Sequence, residues 1–372
     1  MNLSALNEIL KNEPAFRMNQ VKKALFQEFK ETWHEVTNLS LSLRDVLADR
    51  CDLSITAQMN ISKDGRSEKA LITLADGAKV ETVLMRHGHG TGGQGASKVQ
   101  ENGDDFDFED DGAIENSGAT EGSAKESPKG RNTVCVSSQV GCPLACEFCA
   151  TGKLGFTRDL TTYEILEQVI FWARLLKKEG AKIRNIVFMG MGEPLLNYDN
   201  VLAAVKLLND QNAFGLAIRH ISISTAGIVE NIRKFADEKM QVNLAISFHA
   251  PDDELRRKLM PIARKYTINE LLDAVNYYVK KTNRRVMFEY IMLSGVNDTE
   301  ECAIKLAKLM SRPLYFVNLI NYNPTGVFKP SSGNHIKIFK DFLVSKGVVV
   351  TERFRFGTDI DAACGQLACK KY

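Results

Sequence analysis

With 372 residues and 44% hydrophobic content, the chain can bury a core large enough for one sizeable domain with an appendage, or for two ordinary domains. No apolar run approaches the roughly 18 residues of a membrane span, and Met1 to Phe16 lacks a basic stretch followed by an apolar one, so no membrane partner and a cytoplasmic location are expected. The net charge of +2 conceals an asymmetry: Glu101 to Glu126 holds ten acidic residues and one lysine, a charge of −9, so the remainder carries +11, which favours a polyanionic partner such as nucleic acid.

Residues 1–50 read as a small helical module, because Asn19 to Phe29 and Leu39 to Leu47 repeat apolar positions at helical spacing. Residues 51–85 change to short β-prone stretches, Ile55 to Ile61, Ala70 to Leu74 and Val80 to Leu84, separated by Lys63-Asp-Gly and Ala75-Asp-Gly turns. This predicts a small sheet or hairpin extension. Residues 86–131, rich in Gly, Asp, Glu, Ser and Asn, read as an acidic disordered insertion. Within it Gly88, Gly90 and Gly93 match a dinucleotide-binding glycine pattern, but no amphipathic helix follows, so they are assigned to a linker.

From residue 132 to 372 strands and helices alternate. Strands are predicted at Thr133 to Ser138, Asn185 to Met189, His220 to Thr225, Val242 to Ser247, Val286 to Leu293 and Tyr315 to Ile320. Helices are predicted at Thr162 to Lys178, Tyr198 to Leu208, Val229 to Ala236, Ile268 to Lys280, Thr299 to Met310 and His335 to Ser345. Six such units make an α/β fold with a partial (β/α)6, TIM-like barrel, in which functional residues gather at the carboxyl ends of the strands.

Cys142, Cys146 and Cys149 stand in Gly141-Cys-Pro-Leu-Ala-Cys-Glu-Phe-Cys-Ala150. Three thiolates can bind three irons of a [4Fe-4S] cubane and leave the fourth open, whereas structural zinc usually takes four protein ligands, and no second pair lies nearby. Met189-Gly-Met-Gly-Glu-Pro194 offers backbone approach at Gly192 and a carboxylate, Glu193, to a cationic amine. Ser224, Ser247, His249 and Asn323 each end a predicted strand and can hydrogen-bond a ribose, carboxylate or adenine. Cys364 lies among Gly365 and acidic residues, as in an exposed loop with a reactive thiol. Cys51, Cys302 and Cys369 read as bland, the last near a frayed end.

The C-x3-C-x2-C spacing resembles the radical S-adenosylmethionine superfamily. Val134-Cys-Val-Ser-Ser-Gln-Val-Gly-Cys142, Ala150-Thr-Gly-Lys-Leu-Gly-Phe-Thr-Arg158, the Gly-Met-Gly-Glu-Pro stretch and Ala362-Ala-Cys-Gly-Gln-Leu367 resemble the RlmN family, as do Thr37-Asn-Leu-Ser40 and Val80-Glu-Thr-Val83. The likeness covers nearly the whole chain except the acidic insertion. It implies a methyltransferase acting on carbon 2 of an adenosine in 23S rRNA, at the peptidyl transferase centre, and in tRNA next to the anticodon. It also implies an electron donor such as flavodoxin; a monomer is the default. By the same resemblance Cys364 is the methyl carrier, Cys135 the thiol that resolves the product through a transient disulfide, and Glu81 a proton acceptor. Gly192, Glu193, Ser224, Ser247, Phe248, His249 and Asn323 line the site for S-adenosylmethionine, of which two molecules are used per turnover. A Cfr-type enzyme acting on carbon 8 shares these motifs. A rival of another class is a non-enzymatic RNA-binding protein with structural zinc.

Overall fold

Short β-prone stretches separated by Asp-Gly turns bring three antiparallel strands together at the start of the sheet: β1 (Thr56–Ile61), β2 (Ser67–Thr73) and β3 (Lys79–His87). The structure, a computed structural model, describes residues 1–87, 130–353 and 356–369. Next comes β4 (Arg131–Cys135), antiparallel to β3, with Cys135 opposite Val83. A separate two-stranded ribbon, β5 (Gln139–Gly141) with β6 (Phe156–Asp159), brackets the three-cysteine loop. The main sheet then continues with parallel β7 (Asn185–Phe188), β8 (Ile221–Thr225), β9 (Asn243–Ser247), β10 (Val286–Met292), β11 (Tyr315–Asn321) and β12 (Val350–Glu352).

The result is one ten-stranded sheet that runs from β1 to β12 in chain order, with the ribbon outside it. Its seven parallel strands, β4 and β7 to β12, form a partial barrel. This is the expected α/β architecture with two differences. The hairpin extension is not a separate sheet, because β3 continues it directly into β4; and β12, too short for a periodic signal, adds a seventh parallel strand. Both ends of the acidic segment are more regular than expected, since β3 reaches His87 and β4 starts at Arg131. The rest of that segment, with Gly88, Gly90 and Gly93, lies outside the described residues.

The helix Thr162–Lys178 shows how the layers lock. Thr161 N donates to Glu164 Oε2 at 2.8 Å and Glu164 N to Thr161 Oγ1 at 3.3 Å, a reciprocal cap. Its inward face buries Ile165, Val169, Ile170, Trp172 and Leu176, each contributing roughly 1.5–3 kcal/mol of hydrophobic stabilisation. Trp172 Nε1 donates to Thr82 Oγ1 at 3.0 Å, and that hydroxyl donates to Cys135 O at 2.7 Å. The helix therefore holds β3 and β4 where Cys135 enters the site. The N-terminal helices Leu6–Leu10, Ala15–Phe26 and Leu41–Arg50 contribute Leu6, Leu25, Leu43 and Leu47 to the same continuous core. Among the described residues no helix is long and apolar enough to cross a membrane.

Candidate active site

The three-cysteine loop starts at Gly141, which needs φ +79°; a Cβ there would stand 2.0 Å from Gly155 O. Only glycine lets the ribbon close, with Cys142 N donating to Gly155 O at 2.8 Å. Glu147 N donates to Leu259 O at 3.0 Å, and Ala150 N donates to Gly365 O at 2.7 Å, so the loop is also fastened to the segment carrying Cys364. A Gly141→Ala variant is expected to lose at least about 2 kcal/mol of stability and its iron after anaerobic reconstitution, as read by urea unfolding and iron analysis.

Cys142, Cys146 and Cys149 line one cavity of about 200 Å³ that opens to solvent. An apolar group including Leu144, Phe148, Met260, Leu293 and Tyr322 packs behind them. Burial pushes the Cys142 thiol up to about 12, and burial, with Cys149 and Cys142 beside it, raises Cys146 well above its ordinary value. Such a set takes up cationic iron readily, because the metal supplies the positive charge that water does not. Among the described residues no three Cys, His, Asp or Glu side chains close on a single metal ion. A cubane asks something different, since each of its three thiolates bonds a separate iron.

Around this loop the cavity is lined by strand-end residues, as expected of a barrel. Gly192 (φ +97°) has no room for a Cβ, which would stand 2.5 Å from Gln139 Cβ. Glu193 is buried; its carboxylate accepts from Leu195 N at 3.0 Å and Ala226 N at 2.7 Å, and burial lifts it to about 7. Ser224 and Ser247 bring their hydroxyls 3.5 Å apart. Asn323 Oδ1 is buried with no hydrogen-bond partner, an acceptor left for a donor from a ligand. These residues and His249 all line the cavity. A largely apolar pocket beside the thiols, with Glu193, Asn323 and the two serines as its polar points, fits S-adenosylmethionine. Phe248 is the exception among the residues assigned to it. Its side chain is fully buried in the main core and packs edge-to-face on Phe288 at 5.6 Å, because the strand alternation that turns Ser247 into the cavity turns Phe248 away.

His249 accepts from Ile291 N through Nδ1 at 3.1 Å, which leaves the ring proton on Nε2. Burial first, then the Arg256 charge, depresses its pKa from 6.5 to about 3. The unfolded chain therefore takes up a proton on this ring as pH falls through 6.5, while the folded chain resists until about 3. The stability associated with His249 is complete above pH 6.5 and is lost progressively below it. A His249→Asn variant, which keeps an acceptor for Ile291 N, is expected to reduce the pH slope of urea-unfolding free energy by up to about one proton in that window.

The other two cysteines of interest also meet here. Cys135, at the end of β4, and Cys364 both line the cavity, close enough that a charge on Cys364 opposes one on Cys135. Burial first, and the Cys364 charge after it, push the Cys135 thiol up to about 12, against the Arg353 charge, which favours the thiolate. The Cys364 segment is not the exposed loop expected: Cys364 is half-buried, its neighbours Ala362, Ala363 and Leu367 are buried, and Asn323 Nδ2 donates to Cys364 O at 3.4 Å. Cys369 is likewise not frayed, since its Sγ lies 3.2 Å from Lys79 O. Cys51 and Cys302 are buried, as expected of bland cysteines.

Glu81 differs from the pair of thiols. It is fully buried and does not line the cavity. Lys69 Nζ lies 3.1 Å from Glu81 Oε1, and Ala368 N donates to Oε2 at 2.8 Å. Glu289 and Arg353, not among the residues expected from sequence, also line the cavity, with Arg353 Nη1 3.4 Å from Glu289 Oε1. An acid in the otherwise apolar run Val286 to Leu293 was the available signal.

A family model described as the radical SAM superfamily matches residues 136–307. Among similar chains, a probable dual-specificity RNA methyltransferase RlmN of Dictyoglomus thermophilum is 37% identical over 98% of this chain and 94% of its own. A ribosomal RNA large subunit methyltransferase N of Nitrosopumilus maritimus is 39% identical over 95% and 92%. A solved radical SAM methyltransferase from Sphaerobacter thermophilus superposes with a TM-score of 0.84 at 36% identity, covering 100% of this chain and 98% of the other. With that agreement in sequence and fold over nearly its full length, the chain belongs to the RlmN family of radical S-adenosylmethionine methyltransferases.

Proposed function

We propose that the chain methylates carbon 2 of an adenosine in RNA, both in 23S rRNA at the peptidyl transferase centre and in tRNA next to the anticodon, by way of Cys364. The observation that carries this reading is the second set of thiols: Cys135 and Cys364 face one cavity together with the three loop cysteines. A cofactor loop alone needs only the three. The similarity to RNA methyltransferases supports RNA as the substrate.

Cys142, Cys146 and Cys149 would hold a [4Fe-4S] cluster, which would supply the electron for reductive cleavage of one S-adenosylmethionine, while a second S-adenosylmethionine in each turnover would supply the methyl group. Glu193 presents its carboxylate to the amino group of that ligand, and Asn323 and the paired serines accept and donate to its remaining polar atoms. Cys364 takes the methyl group as a thiolate by displacement, then loses a hydrogen atom from it, and the carbon so activated bonds carbon 2 of the adenine; the adduct gives up one electron, which the cluster would take back, and the C2–H bond breaks with loss of its proton. A radical is required because that carbon is not nucleophilic. Cys135 then attacks the Cys364 sulfur: the S–S bond forms, the S–C bond breaks, and the carbon keeps its electron pair and is protonated to a methyl group. An external reductant restores the two thiols. Cys135 holds its proton until this attack, and the Arg353 charge favours the thiolate as it forms. The reading includes a monomeric enzyme supplied with electrons by a donor such as flavodoxin.

The test is mass spectrometry of nucleosides from unmodified 23S rRNA and tRNA after anaerobic incubation with the reconstituted protein, S-adenosylmethionine and a reductant. 2-Methyladenosine is expected. 8-Methyladenosine would assign the chain to Cfr-type chemistry, and neither product despite cofactor cleavage would refute adenosine as the substrate.

A further inference from the structure

Glu81, Val83 and Met85 alternate onto one face of β3; Val83 and Met85 line the cavity, while Glu81 lies one step further back. In the β2–β3 register Lys69 is opposite Val83 and Glu81 opposite Leu71, so Lys69 and Glu81 are diagonal neighbours on the same face. Both are buried, Lys69 with 2% exposure and Glu81 with none. Two opposite charges removed from water at one point are costly to maintain, and the apolar alternative is often as stable, which raises the question of what they hold.

Each reaches the segment that carries Cys364, one on either side of it. Lys69 Nζ donates to Asp361 O at 3.1 Å, three residues before Cys364. Ala368 N donates to Glu81 Oε2 at 2.8 Å, four residues after it. Between these two points the segment turns through Asp361 (φ +51°) and Gly365 (φ +81°). Further ties, Ala150 N to Gly365 O at 2.7 Å and Thr151 Oγ1 to Leu367 O at 2.7 Å, run to the residues that directly follow Cys149, and Asn323 Nδ2 donates to Cys364 O at 3.4 Å. The hairpin extension thus fixes both ends of the loop, and the cofactor loop fixes its middle.

We infer that the buried Lys69–Glu81 pair is a clamp that sets the position of Cys364, so that Glu81 acts as a positioning residue, through the loop backbone, rather than as a base. This rests on the reading that Cys364 is the methyl carrier. A thiol that must meet a methyl donor, an adenine and Cys135 in turn needs a loop anchored outside the cavity, and charge-assisted hydrogen bonds at both ends provide that anchoring.

Single substitutions would strand a buried charge, so the test uses two double variants of the full chain that remove both charges. Lys69→Met with Glu81→Leu removes both contacts to the loop. Amide exchange at Ala368 is expected to accelerate about tenfold while amides of β2 and β3 keep their protection, and kcat for RNA methylation is expected to fall about tenfold with KM changed by less than about threefold. Lys69→Met with Glu81→Gln keeps an acceptor for Ala368 N; its Ala368 exchange and kcat are expected to stay within about threefold of the parent. Parent-like exchange in the first variant overturns the clamp, as does a second variant as inactive as the first, the result expected of a base. Failure of the carrier reading itself has a different signature, methylation that survives Cys364→Ala.

Discussion

Cys364→Ala is expected to lower RNA methylation by at least about a thousandfold, equivalent to roughly 4 kcal/mol in the barrier, while the chain still folds, binds iron and cleaves S-adenosylmethionine. The physical basis is the separation of roles in the cavity. Cys364 is not one of the three cysteines in the loop between β5 and β6, and the ties that hold its segment run through backbone atoms, Gly365 O and Leu367 O, rather than through its thiol. Removing the sulfur therefore leaves the walls standing but leaves no carrier for the methyl group. Measuring 5′-deoxyadenosine and methylated nucleoside in the same incubation separates the two effects. A protein holding zinc and merely binding RNA would be indifferent to the substitution.

Cys135→Ala is expected to stop the reaction one step later, with RNA covalently attached to Cys364 and at most one turnover per chain. Cys135 is the last residue of β4, held by the Thr82 hydroxyl on its carbonyl and by pairing with Val83 and Val187 on either side. Alanine keeps those backbone bonds, so the strand is undisturbed. What is lost is the only other thiol the described cavity presents to Cys364 besides the three in the cofactor loop. Denaturing gels with labelled RNA would show the adduct, and nuclease digestion followed by peptide mass spectrometry would place it on Cys364. Release of free methylated RNA with full turnover would refute the resolving role.

Much of the barrel was legible because its helices carry strong local signals. Thr162–Lys178 has a reciprocal cap at one end, a wide apolar face and lysines in its last turn, and it falls where periodicity placed it. The ribbon β5–β6 was not legible: three and four residues around glycine and cysteine give no alternation to read, and pairing across the cofactor loop is a tertiary fact. The same holds for the hairpin extension, whose strands were found but whose continuation of the main sheet depends on β3 meeting β4 across the acidic segment. In the site, Ser224, Ser247, His249 and Asn323 were readable because strand ends of a barrel share one mouth. Phe248 adjoins Ser247 and His249 in sequence but faces the main core, as strand parity requires. Lys69 gave no signal, since a lysine in a β-prone run usually faces water, and only the register shows that it is buried beside Glu81.

The central claim is that the methyl group passes through the Cys364 sulfur and loses a hydrogen atom before it reaches RNA. The most direct test supplies S-adenosylmethionine with a fully deuterated methyl group and reads the isotopic content of the methylated adenosine by mass spectrometry. The account predicts that two of the three deuterium atoms arrive in the product and that the third appears in 5′-deoxyadenosine. A product carrying all three, with unlabelled 5′-deoxyadenosine, would contradict it.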